Sequence, residues 1–176
     1  MLELVKKETD LFNVNAKKKR GANTFNKNKI EKEILTLRNE MESVWCDETR
    51  YHGTVFTDKD KNSKGQCGVS SFYLAKLLEE KNYKVLFCEG DAYFPSSQPI
   101  IEHCWIKLLM CKNKDLIIDI TADQSGYDKK VVCMTKHELK KWGISYCAKK
   151  EYKMQEIKAV GLLRRQEYLE SKLKKY

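Results

Sequence analysis

Residues 64–69 read K-G-Q-C-G-V and set a thiol, Cys67, between two glycines and ahead of an apolar run. A cysteine there suits nucleophilic attack on a carbonyl. Its free pKa is about 8.5, so it needs help to become a thiolate near neutral pH. The start of a helix gives part of that help, through unpaired N–H groups and the positive end of the helix dipole. The rest must come from a base and a group that orients the base. Of the histidines His52, His103 and His137, only His103 lies on a strand-like segment, H-C-W-I-K-L. Period-two alternation puts His103, Trp105 and Lys107 on one face of it. Asp119, in L-I-I-D-I-T, is an acid inside an apolar run, which is costly to bury without a cationic or donor partner. If the two segments pair antiparallel, His103 and Asp119 meet at the outer ends, and Cys67, His103 and Asp119 form a catalytic triad. The plainer alternatives are a histidine ending a strand and an aspartate tied to a lysine or a backbone N–H.

Other residues are candidates for support. Trp45 and Gln66 carry donors suited to an oxyanion hole, although Trp45 also ends an apolar helical stripe and Gln66 serves equally to hold its loop. Trp105 stands beside His103 on the strand. Thr121 and Gln124 brace the Asp119 loop or make ordinary turn contacts. The segment holding Pro95 and Pro99 either roofs a cleft or is an inert insertion.

These residues need a scaffold. Ile30, Ile34, Leu37, Met41 and Val44 recur at helical spacing, and Asn28 with Glu31 resembles a capping pair, so a helix is predicted from residue 28. Residues 67–80 predict a buried helix with Cys67 at its start. Residues 83–88, 103–109 and 116–120 predict strands. Thr135 and Glu138 cap a short helix reaching Trp142, and a last helix is predicted over 154–174 with Ile157, Val160, Leu163, Leu169 and Leu173 inward. Helices bracketing a compact strand region define an α+β fold.

The 176 residues suit a single domain over 28–176, behind a basic arm over 1–27 that includes Lys17-Lys18-Lys19-Arg20. No apolar run approaches the ~20 residues of a membrane span, and the N-terminus lacks secretory features, so a cytoplasmic, reducing setting is expected with no membrane partner. Seven cysteines without a C-x-x-C pair support neither a disulfide framework nor a metal site, and no cofactor is expected. Cys88, Cys104 and Cys133 read as small buried hydrophobes. The net charge of +9 allows weak polyanion binding, but the excess is mostly lysine spread over the second half rather than an arginine stripe. The oligomeric state leaves no mark on the sequence.

The blocks G-Q-C (65–67), H-C-W (103–105) and D-I-T (119–121) resemble those of the transglutaminase-like branch of the papain-type cysteine enzymes. With S-V-W-C-D-E-T (43–49), K-G-Q-C-G-V-S (64–70) and D-I-T-A-D-Q (119–124), the chain is similar to the small bacterial YunG-like family. The resemblance implies a papain-like core, with a nucleophile helix on a small antiparallel sheet and helices at both ends. It implies Cys67 as nucleophile, His103 as base, Asp119 as orienting acid and a protein or peptide substrate. The expected function is acyl transfer through a thioester, as a peptidase, deamidase or transamidase. The alternative is an inactive binding module that uses its basic surface on a protein or nucleic acid.

Overall fold

The computed structural model describes residues 26–55, 57, 61–110 and 114–174. The basic arm, with its Lys17–Arg20 run, lies outside the described residues except for its last two positions.

Helix α1 (Lys27–Val44) leads to α2 (Cys67–Glu80), and strands β1 (Val85–Tyr93), β2 (Ile100–Leu108), β3 (Leu116–Asp119) and β4 (Val132–Thr135) follow. After a short helix α3 (Lys136–Lys141) come β5 (Ser145–Tyr152) and α4 (Val160–Leu173). The five strands form one antiparallel sheet in the order β4-β3-β2-β1-β5. The architecture is α+β, with a small antiparallel sheet and helices near both ends of the described chain.

Alternation along the strands builds a core on each face of the sheet. Phe87, Ile106, Leu108, Leu116 and Ile118 join α1, α2 and α4 in the larger core. Cys88, Trp105, Ile117 and Val132 form the smaller one with Phe94, Leu139 and Ile144. Each large apolar side chain fully removed from water contributes about 1.5–3 kcal/mol before the entropy of ordering it is subtracted. Ile30, Ile34, Leu37, Met41 and Val44 are all buried, as their spacing predicts.

The structure differs from the sequence reading at several boundaries. The cap of α1 is Asn26, whose side chain accepts from Lys29 N at 3.2 Å, and not Asn28. Strand β1 runs five residues past the predicted end and β2 begins three residues early, so most of 89–102 is hairpin and only 94–99 is loop. Strands β4 and β5 are additional. The last helix starts at Val160, after a 3-10 turn at Met154–Glu156, and Val160 is 60% exposed. Leu162, Gln166 and Leu169 are its buried residues, a stripe that the polar Gln166 hides from a hydrophobicity pattern. The Thr135 capping box is present as predicted.

Candidate active site

Cys67 is the first residue of α2, and Gln66 at the cap position contributes no side-chain capping bond. The sulfur therefore lies where the helix dipole favours an anion. Gly65 makes the approach possible. Its φ of +75° suits glycine, and a Cβ there would fall 2.6 Å from Thr54 Oγ1 and 2.7 Å from Arg50 Cγ.

His103 is fully buried on β2, opposite Gly90 of β1. The ladder is irregular between Gly90 and Ala92, and Glu102, directly before His103, has φ +55°. A bulge of this kind re-aims the side chain that follows it. The strained backbone costs about 1 kcal/mol. Glu102 N–H donates to Asp91 Oδ1 at 3.2 Å, which helps hold that turn of the chain.

The His103 ring places Nε2 2.6 Å from Asp119 Oδ2. Asp119 is also fully buried, and its oxygens receive three more donors: Tyr146 Oη at 2.9 Å, Thr121 N at 2.8 Å and Thr121 Oγ1 at 3.2 Å. Such a carboxylate is fully partnered, which meets the cost of burying it. Trp105 lies alongside the imidazole with ring centroids 6.1 Å apart, and Tyr146 packs on Trp105 at 5.1 Å.

Nδ1 of His103 faces Gln124 Nε2 at 2.9 Å, while Gly65 N–H donates to Gln124 Oε1 at 3.4 Å. Gln124 thus bridges the loop before Cys67 and the His103 ring. In this orientation the amide suits a neutral ring accepting at Nδ1. A charged ring donates from Nδ1, and Cys67 is its anionic neighbour.

Charge on the three groups is interdependent. The Cys67 thiol is held well below its ordinary range: the Cys104 thiol donates to it, and His103 and the Cys104 N–H add to this against the opposing effect of burial. Burial opposes a charge on His103, yet Asp119, with Cys67, raises its pKa to about 10. The pair therefore favours thiolate and imidazolium together. Burial pushes Cys88 and Cys133 to about 12, the behaviour of inert interior thiols.

Cys104 departs from the sequence reading. It is partly exposed rather than a buried hydrophobe, and with Cys67 it lines a cleft of about 1040 Å³. Gln98 and Pro99 from the β1–β2 connection also line the cleft, with Ile101 at the start of β2, so the proline-bearing segment borders it. Three residues of the site were not anticipated: Cys104, Tyr146 on β5 and Arg165 on α4. Only the alternation of His103-Cys104-Trp105 hinted that Cys104 faces α2.

Trp45 and Gln66 are placed differently from the rest. Gln66 is fully buried, its Nε2 donates to Cys46 O at 3.1 Å, and it does not line the cleft, so that amide holds the loop. Trp45 packs against the larger core beneath the Arg38 guanidinium, 4.2 Å from its ring, and does not line the cleft. Donors for an oxyanion are left to backbone N–H groups at the start of α2.

No protein-family model matches the chain, no curated protein matches it, and no solved structure matches it. Among the described residues, no helix is long and apolar enough to cross a membrane.

Proposed function

We propose that the protein is a cysteine acyl-transfer enzyme of the transglutaminase-like, papain-type kind, with Cys67 as nucleophile, His103 as acid and base, and Asp119 as orienting carboxylate. The observation that carries this reading is the 2.6 Å contact of fully buried His103 and Asp119 beside a thiol on a helix start. A buried ion pair of this quality is costly to assemble for stability alone, whereas it suits the activation of a thiol.

The chemistry follows in two halves. The Cys67 thiolate attacks an amide carbonyl, and backbone N–H groups at the start of α2 receive the oxyanion. The imidazolium then protonates the departing amine, leaving a thioester. In the second half the neutral imidazole takes a proton from water or an incoming amine, which attacks the thioester carbonyl, takes the acyl group and expels the Cys67 thiolate, restoring the thiolate–imidazolium pair. Asp119 keeps Nε2–H directed to itself, so that Nδ1 does the proton work. Water as acceptor gives peptide hydrolysis or deamidation, and an amine gives transamidation. Gln124 must release Nδ1 during the cycle.

Alkylation by iodoacetamide with peptide mapping tests the reading. At about pH 7 an ordinary thiol is only ~3% ionised, so Cys67 is expected to react roughly 30-fold faster than an unactivated cysteine. His103→Ala is expected to remove most of that advantage. Labelling of Cys67 at the rate of exposed Cys147, or labelling indifferent to His103→Ala, would refute the proposal.

A further inference from the structure

Arg165 projects from α4 into the cleft that holds Cys67 and Cys104. It is partly buried, its guanidinium carbon lies 5.3 Å from the Tyr51 ring centroid, and its Nε donates to Gly161 O at 3.0 Å. No carboxylate among the described residues pairs with it. Glu89 and Glu102 line the same cleft, yet Glu89 meets the Tyr152 hydroxyl at 3.4 Å and neither acid reaches Arg165. Burial lowers its pKa, and the acidic groups that act against this are the thiols of Cys67 and Cys104 and the Tyr51 phenol. The neighbouring cations are different: Lys149 is paired with Asp91 at 2.8 Å, and Lys150 stands in solvent at the rim. The terminal nitrogens of Arg165 carry a fork of donors that fits a carboxylate. Desolvating a guanidinium without a carboxylate partner is unfavourable, and a bound anion would offset that.

We propose that Arg165 receives a carboxylate on the acyl portion of the substrate, so that the cleft selects amides bearing an acid group close to the scissile carbonyl. This rests on the acyl-transfer reading above and names the substrate class for it. The carboxylate comes either from an acidic side chain or from a chain terminus, since both offer the same planar pair of oxygens.

The test compares iodoacetate with iodoacetamide at Cys67 in the full chain. The two reagents share their leaving group and differ in one carboxylate. The imidazolium of His103 also attracts iodoacetate, so the informative quantity is the change in the rate ratio between wild type and Arg165→Gln. A fall of about tenfold is expected, for a charge pair in a partly screened cleft. Arg165→Lys should keep most of the ratio. Protection of wild-type Cys67 by N-acetylglutamate α-amide or by N-acetylglutamine then identifies a side-chain or a terminal carboxylate. An unchanged ratio in Arg165→Gln overturns the proposal, as does an equal fall with both reagents, which would mean that Arg165 acts on the sulfur alone. The ratio is readable however slowly Cys67 reacts, so an unactivated thiol would sink the enzyme reading without being mistaken for failure of this one.

Discussion

Asp119 accepts from four donors on three residues, and that degree of partnering decides what its replacement does. Asp119→Asn keeps the shape but removes the charge that holds His103 near 10, so the imidazole pKa falls toward 6.5. Thiolate and imidazolium then no longer support each other at neutral pH. In wild type, Cys67 alkylation should already be level near pH 7, because its thiol is depressed. In Asp119→Asn the rise should move to higher pH, toward the ordinary thiol value of about 8.5. A superimposable pH profile would remove Asp119 from the site. Tyr146→Phe tests the network from another side. The Tyr146 hydroxyl is kept protonated by its burial and by Asp119, so it acts only as a donor. Losing that bond is expected to cost about 1 kcal/mol in urea unfolding and to leave His103 in place. Cys67, His103 and Asp119 were legible in the sequence because each is a polar or reactive residue in a place where an ordinary core has no use for one, and Thr121 and Gln124 because they follow Asp119 in its loop. Cys104 and Arg165 were not, since a cysteine in a strand and an arginine on an amphipathic helix look structural until the cleft joins them.

Elements were legible where a single face is buried and obscure where it is not. Helix α1 shows its stripe plainly, and α2 is apolar enough to declare itself. Strand β5 reads S-Y-C-A-K-K-E-Y with mostly exposed positions, because it is an edge strand beside β1, and so it lacks the apolar alternation that marks β2. Strand β4 has four residues, too few to display a period. The β1–β2 hairpin was hidden by Gly90, a residue that ordinarily weakens a strand. Its role is contact: a Cβ at Gly90 would fall 2.1 Å from Cys147 O and 3.0 Å from Ala148 Cα, both backbone atoms of β5. Neither can yield without breaking the ladder. Gly90→Ala is therefore expected to destabilise by about 3 kcal/mol, read as a lower urea midpoint. Because Gly90 also sits opposite His103, Cys67 labelling should slow as well. A midpoint within about 0.5 kcal/mol of wild type would show that β5 is free to move away from β1.

Across the described residues, one fully buried guanidinium, that of Arg38, ties helix α1 to the loop that follows β3. Arg38 on α1 reaches Asp123 with Nη2 at 3.0 and 3.2 Å and Glu42 with Nη1 at 2.7 Å, and it lies over the Trp45 ring. Asp123 belongs to the 3-10 turn Ala122–Ser125, which begins three residues after Asp119 and carries Gln124. Glu42 also meets Lys130 at 2.6 Å, just before β4. Helix α1 is thus linked by charge to both ends of the chain between β3 and β4. Removing one partner of such a pair leaves the other buried and uncompensated, a loss of about 3–5 kcal/mol. Arg38→Ala should show that loss in urea unfolding. The double variant Arg38→Met with Asp123→Asn should recover part of it, since no lone charge remains and the methionine fills space. If the link serves only stability, Cys67 should label at the wild-type rate in any folded variant. If it also holds the turn, the single variant loosens Gln124 from Nδ1, and its labelling rate departs from wild type while that of the double variant lies between. Both losses being equal would mean that Asp123 finds another partner and that α1 does not govern the loop.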